Sequence, residues 1–143
     1  MKPDMNSRAI TTAAAAVLLL GACDPRLTPT SDLTSREVQS LAGVWTGRST
    51  LRTGERYCPA NYLWTLRVGG GNIDAEVVDA DTPRAPPTKF TTFIDYDGSM
   101  SAFTRLGGRD TNVRGAFIKD GFAGQSQSQE CSYFIRLRRA SGS

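Results

Sequence analysis

The chain has 143 residues with 17 Lys and Arg against 14 Asp and Glu, and its formal net charge of +3 does not indicate a nucleic-acid-binding protein. It contains no histidine, which removes the commonest general base and the usual zinc ligand, so we predict no catalytic residue, no metal and no cofactor. The length is sufficient for one domain with a single hydrophobic core.

The N-terminal residues have the pattern of an export signal. Lys2 and Arg8 precede a small and apolar run, residues 9–20, whose length of about a dozen residues is too short to span a bilayer. The run ends in Leu-Gly-Ala-Cys at residues 20–23, which resembles the bacterial lipobox. The resemblance implies that residues 1–22 are a lipoprotein signal peptide, removed before Cys23, and that Cys23 carries diacylglycerol and an acylated amino terminus. The alternative is an ordinary secretory signal, with Cys23 incidental.

The lipobox also implies where in the cell the protein is located. Two or more acyl chains anchor a protein stably in a membrane, where one chain would be marginal. We therefore expect a protein of the bacterial cell envelope, anchored through Cys23 and facing the periplasm, with the inner and the outer membrane both left open.

Residues 23–33 are predicted to be a flexible tether, because Pro25, Pro29 and several hydroxyl residues offer little to bury. A β-barrel domain is expected over residues 34–140. At its start Thr34 lies three residues before Glu37, which is the spacing of a capping box and predicts a short helix over residues 35–41.

After residue 43 the apolar residues recur with period two, which predicts strands. Asp-Gly pairs at 97–98 and 120–121 and the glycines at 69–71 and 107–108 are placed as turns between them. The predicted strands cover residues 44–51, 62–68, 73–77, 90–96, 100–106, 113–118, 122–126 and 131–138. The fold class expected is all-β, an eight-stranded antiparallel up-and-down barrel preceded by a short helix.

Cys58 and Cys131 are predicted to form a disulfide. The chain has three cysteines, and assigning Cys23 to lipid leaves a pair in an oxidising compartment. In a closed meander the last strand lies antiparallel beside the first, so Cys58 after strand one and Cys131 at the start of strand eight meet at the same rim. The alternative is two buried free thiols.

The first strand opens with Gly43-Val44-Trp45, which resembles the Gly-x-Trp opening of calycin barrels such as lipocalins, avidins and Inh-type bacterial metalloprotease inhibitors. Lipocalins bring a basic residue of the last strand across that tryptophan, and the resemblance makes Arg136 or Arg138 the candidate. In Inh-type inhibitors the segment before the barrel enters the protease cleft, whereas here the corresponding segment would be tethered by Cys23.

The predicted inward-facing side chains are large enough to fill an eight-stranded barrel. They are Trp45, Leu51, Tyr62, Trp64, Leu66, Val68, Ile73, Val77, Phe90, Ile94, Tyr96, Met100, Leu106, Val113, Phe117, Phe122, Tyr133, Ile135 and Leu137. We therefore expect a non-enzymatic protein whose barrel is a binding or structural module, with the membrane and an envelope protein or protease as partners and no nucleic acid. The alternatives are an Inh-type protease inhibitor using loops 52–60 or 81–88 or the tether, and a carrier of a small hydrophobic ligand.

Overall fold

The computed structural model of the protein describes residues 35–142, so the predicted signal peptide, the tether, Cys23 and Thr34 lie outside the described residues. One helix and eight strands follow one another as α1 Ser35–Ser40, β1 Gly43–Thr53, β2 Asn61–Gly69, β3 Asn72–Asp79, β4 Thr88–Phe93, β5 Ser99–Leu106, β6 Arg109–Ile118, β7 Gly121–Gln127 and β8 Ser132–Arg139. The strands are antiparallel and form a nearly closed up-and-down barrel. The predicted fold class is confirmed.

The first and last strands are joined by a backbone ladder. Trp45 lies opposite Arg139 at one end of the β1–β8 pair, and Thr53 lies opposite Ser132 at the other, with a local register shift between Leu51 and Thr53. The remaining ladders join neighbours in sequence, from β1 to β4 on one side and from β5 to β8 on the other. The predicted contact between the two ends of the meander is therefore confirmed.

The barrel is incomplete between β4 and β5, which no backbone ladder joins in the described part of the chain. Two threonine hydroxyls of β4 cross the gap instead. Thr92 Oγ1 donates to the carbonyl oxygen of Ser101 over 2.7 Å, and Thr88 Oγ1 donates to that of Arg105 over 3.3 Å. The opening thus lies between two strands that are adjacent in sequence, whereas the strands farthest apart in sequence are fully paired.

Alternate residues of the strands point inward and make one continuous core. The prediction for Tyr96 is wrong, because β4 ends at Phe93 and the chain then leaves the sheet for the turn into β5, so that Tyr96 is 80% exposed. Leu51, Phe90 and Phe117 are only partly buried and pack against the core, while the other predicted inward residues are buried.

The barrel segment carries its own core. The buried hydrophobic residues of the described chain all lie between Trp45 and Leu137. The strand ladders lie within residues 43–139, as does the disulfide of residues 58 and 131. This segment therefore has the elements that a small domain needs to fold by itself.

Glycine pairs make two of the hairpin turns. Gly70 and Gly71 join β2 to β3 with φ angles of 59° and 82°, and the pair at 107–108 joins β5 to β6 with φ angles of 56° and 77°. Positive φ at both central residues gives the turn whose twist matches antiparallel strands. Gly121, predicted as a turn residue, instead begins β7 opposite Ile118, because residues 119–120 make that turn without a positive φ.

Inside the barrel, two facing glycines make room for an aromatic ring. Gly115 of β6 lies opposite Gly124 of β7. A Cβ on Gly115 would be 2.2 Å from Cζ of Phe122, and a Cβ on Gly124 would be 3.0 Å from Cε1 of the same ring. The ring of Phe122 consequently packs edge-on against Phe117, with 5.1 Å between the centroids.

Candidate functional site

The interior of the barrel is filled by its own side chains. The buried set includes both tryptophans, Trp45 and Trp64, each 2% exposed. A cavity of about 10 Å³ remains near one end, lined by Tyr62, Leu106, Arg109, Thr111, Ser128, Cys131 and Tyr133. Binding sites for small molecules usually measure roughly 300–1,000 Å³. This cavity is therefore of the size of a single water molecule and offers no room for an organic ligand.

Two buried serines differ in how their hydroxyls are satisfied. Trp64 Nε1 donates to Ser49 Oγ over 3.0 Å inside the core. Ser126 is fully buried as well, but its Oγ has no hydrogen-bond partner among the described residues. A buried hydroxyl without a partner loses its hydrogen bonds to water and gains none in the protein, so Ser126 should destabilise the folded state.

The Cys58–Cys131 disulfide lies at the end of the barrel opposite α1, which we call the disulfide end. The S–S distance is 1.99 Å and the Cα atoms are 5.9 Å apart, so the predicted bond is confirmed. Cys58 belongs to the loop between β1 and β2, and Cys131 directly precedes β8. The bond therefore reinforces the β1–β8 ladder, as predicted, although the gap in the barrel is elsewhere.

Further contacts fix the loop of residues 54–60 at the disulfide end. Arg109 of β6 reaches across with its Nη2 donating to the carbonyl oxygen of Tyr57 over 2.8 Å, while its Nε pairs with Glu130 over 2.9 Å. The hydroxyl of Tyr133 donates to the carbonyl oxygen of Pro59 over 2.8 Å. The loop is held at several backbone points, yet the side chain of Tyr57 is 71% exposed.

A pair of buried tyrosines lies beneath this loop. The rings of Tyr62 and Tyr133 meet edge-on with 5.1 Å between their centroids. Burial raises the pKa of the Tyr133 phenol well above its usual value, and the charge of Tyr62 would raise it further. Burial also raises the pKa of Tyr62, with Asp79 as the next cause. Both phenols therefore stay neutral at physiological pH and act as hydrogen-bonding core residues.

Trp45 closes the other end of the barrel beneath α1. Its Nε1 donates to the carbonyl oxygen of Leu41 over 2.9 Å. The guanidinium of Arg139 lies 4.8 Å from the Trp45 ring centroid and donates to the carbonyl oxygen of Ser40. The basic residue over Trp45 is thus Arg139 and neither of the expected candidates. The alternation of β8 could have identified Arg139, because Leu137 points inward and Arg139 lies two residues later, on the same face of the strand.

Arg136 and Arg138 lie on the outer face of β8 and are exposed. Arg136 is opposite Arg48 of β1, and Arg138 is opposite Thr46. The four barrel-signature residues are therefore not one cluster. Gly43 and Trp45 belong to the end covered by α1, whereas the two arginines contribute to the outside of the barrel.

The described residues include no group of three or more Cys, Asp or Glu side chains that could hold a metal ion. Asp97 has a lowered pKa because the side chain and the backbone N–H of Ser99 donate to it, which is the role of a turn residue. Burial and a turn thus account for the shifted pKa values of Tyr62, Tyr133 and Asp97.

Comparison with protein-family models and with characterised proteins finds nothing that matches this chain. Across residues 35–142, no helix has the length and apolar character needed to cross a membrane. The functional interpretation consequently depends on the chain's own residues and geometry.

Proposed function

We propose that the protein is a lipid-anchored lipoprotein of the bacterial envelope whose barrel is a non-catalytic binding module. The anchor is Cys23, for which the lipobox-like Leu-Gly-Ala-Cys of residues 20–23 is the support. The membrane is thus the first partner, through the lipid, and the barrel presents a second surface to the periplasm.

The filled interior is the observation that favours a module acting through its outside. Trp64 and Ile73 are almost fully buried, and the cavity at the disulfide end is about 10 Å³. A carrier of a small hydrophobic ligand needs a far larger cavity. The surface and the loops remain as the places where a partner binds.

Metabolic labelling with a fatty-acid probe tests the anchor. We expect label on the wild type and none on Cys23→Ser, because the thiol is the acceptor. The matched control is Ala22→Ser, which introduces the same small hydroxyl residue next to the cleavage position and keeps Cys23, so it should be labelled. Label on Cys23→Ser would contradict the anchor.

An Inh-type protease inhibitor is the second candidate, and the loop of residues 54–60 favours it. The disulfide, Arg109 and Tyr133 hold this loop while Tyr57 projects into solvent. A loop fixed in advance loses little conformational entropy on binding, and an exposed tyrosine is a typical anchor of a protein interface.

Inhibition assays against proteases from the same envelope test this candidate. Stoichiometric inhibition that Tyr57→Ala weakens at least tenfold would establish it. The control is Tyr96→Ala, which removes another highly exposed tyrosine from the turn between β4 and β5 and should leave inhibition unchanged. Equal effects of both substitutions would exclude the loop as the contact.

A further inference from the structure

The charges of the barrel are segregated on its outside. The outward-facing residues of β1, β7 and β8 include four arginines and no Asp or Glu, as the strand sequences and the burial alternation give them. The arginines are Arg48, Arg52, Arg136 and Arg138. Arg114 of β6, across β7, lines the same surface depression as Arg136, and the outward residues of β6 also include Asp110. We call these five arginines the arginine face. The ion pairs of the described chain, Lys89–Glu76 and Arg109–Glu130, lie elsewhere.

At the centre of the arginine face two like charges are placed side by side. Arg48 and Arg136 are direct cross-strand partners. Like charges at this position in a sheet repel and destabilise the pair. The outward-facing residues of the two strands supply no carboxylate to compensate. A negatively charged partner on this face would relieve that repulsion.

Apolar groups lie among these arginines. Phe134 of β8 is 46% exposed, and the guanidinium of Arg52 lies 3.8 Å from its ring centroid. Next to it is a surface depression of about 500 Å³ whose walls include Arg114, Arg136 and Phe134. Ala116 and Ala123 are directly paired across β6 and β7 and form part of its floor. The face therefore combines positive charge at the rim with apolar contact area.

We propose that the arginine face docks on the anionic phospholipid headgroups of the membrane, so that the barrel lies on its side against the bilayer. This inference rests on the proposed lipid anchor, which would keep the barrel within reach. Residues 24–34 span at most about 40 Å when fully extended. Helix α1 ends at Ser40, which contacts Arg139 next to Arg138, so the end of the helix that follows the predicted tether lies close to one end of the face.

The charge and the exposed aromatic side chain of the arginine face favour anionic phospholipid headgroups as its partner. Arginines near an anionic bilayer are each attracted to it, and exposed aromatic side chains insert among the headgroups. The five arginines lie on β1, β8 and β6, which with β7 between them make up one side of the barrel. A guanidinium group can donate two parallel hydrogen bonds to the oxygens of one phosphate, which the ammonium group of lysine cannot do in the same geometry.

Sedimentation with lipid vesicles tests the proposal, using residues 24–143, which keep the complete barrel and its disulfide but lack Cys23. The vesicles are phosphatidylcholine alone or an equimolar mixture with phosphatidylglycerol. We expect binding to the mixture, little binding to phosphatidylcholine, and release as salt is raised. Each arginine contributes roughly fivefold, so Arg48→Gln with Arg136→Gln and Arg138→Gln should lower the partition coefficient on the order of 100-fold.

The matched control removes the same charge from other surfaces. Arg56→Gln, Arg84→Gln and Lys119→Gln change exposed loop and turn residues and should lower partition by less than about tenfold. Near-ultraviolet circular dichroism checks that both triple variants are folded. The variant of the arginine face should be no less stable than the wild type, because it removes the Arg48–Arg136 repulsion. Equal losses in both variants would assign binding to net charge and overturn the proposal.

No binding to the anionic vesicles would also overturn it. If a single-stranded RNA oligonucleotide bound while those vesicles stayed free, the face would be a polyanion site instead. Vesicle binding of residues 24–143 is measured independently of the anchor. A wild type without fatty-acid label, together with vesicle binding, would refute the anchor alone, whereas label on Cys23 without vesicle binding would refute the docking face alone.

Discussion

The ring of Phe122 occupies the space that a side chain on Gly115 would need. A Cβ at position 115 would lie 2.2 Å from the ring and 2.9 Å from the backbone oxygen of Ala123. Gly115→Ala should therefore lower the free energy of unfolding by about 1–3 kcal/mol, as overpacked cores do. Urea denaturation measures this change in the free energy of unfolding. Gly69→Ala is the control, since nothing lies within 4 Å of its Cβ position, and a loss as large there would contradict the packing explanation.

Ser126 and Ser49 should respond to alanine with opposite signs. Ser126→Ala removes a buried hydroxyl that has no partner among the described residues, so stability should rise by about 1 kcal/mol. Ser49→Ala leaves the indole N–H of Trp64 unpaired in the core and should lower stability by about 1–3 kcal/mol. Thermal unfolding of the two variants checks the contrast, and the same sign in both would refute it.

Arg139 should hold α1 against the barrel. Arg139→Ala removes the contact over Trp45 and the hydrogen bond to Ser40, and we expect a loss of about 1–2 kcal/mol. Hydrogen exchange of the Trp45 indole N–H should become faster, because its acceptor, Leu41, lies just after the same helix. Arg138→Ala, one residue earlier on the outer face, should leave exchange unchanged. Faster exchange in that variant as well would argue against a specific role for Arg139.

The buried tyrosines predict how stability changes at alkaline pH. The pKa of Tyr133 and that of Tyr62 are raised in the folded state, so the unfolded chain releases these protons first. The contribution of these two phenols to stability should be constant below pH of about 10, the ordinary tyrosine value, and should fall as pH rises above it. Tyr133→Phe should weaken the alkaline decline, at a cost of about 1 kcal/mol near neutral pH for the lost bond to Pro59. An unchanged decline would exclude Tyr133 as its source.

The alternation of apolar residues was sufficient to predict the strands and most of the core. Period two is a local property, so that Trp64, Leu66 and Val68 identify the inner face of β2 without knowledge of its neighbours. The disulfide was predictable too, because the meander brings Cys58 and Cys131 to one rim.

Some of the features that escaped prediction depend on three-dimensional placement, and others on where a strand ends. The gap between β4 and β5 is visible only in the pairing of the whole sheet, and no residue type in those strands indicates it. Tyr96 was placed inward by extending the alternation of β4 past its end at Phe93. Arg139 was missed although its parity with Leu137 was readable, because the candidates were taken from the outward positions. The arginine face required the β1–β8 register, which sets Arg48 beside Arg136.

The gap between β4 and β5 offers a place to open the chain and permute it. Ala140 N–H donates to the carbonyl oxygen of Val44 over 2.8 Å, so the two ends of the barrel segment lie together. Joining them with a short linker and opening the chain in the turn between β4 and β5 would give a permutant in which every ladder connects consecutive strands. The β1–β8 pairing, the longest-range ladder of the native chain, would become a local hairpin. Its contact order would fall, and the permutant should fold faster than the natural sequence while keeping the same pairing.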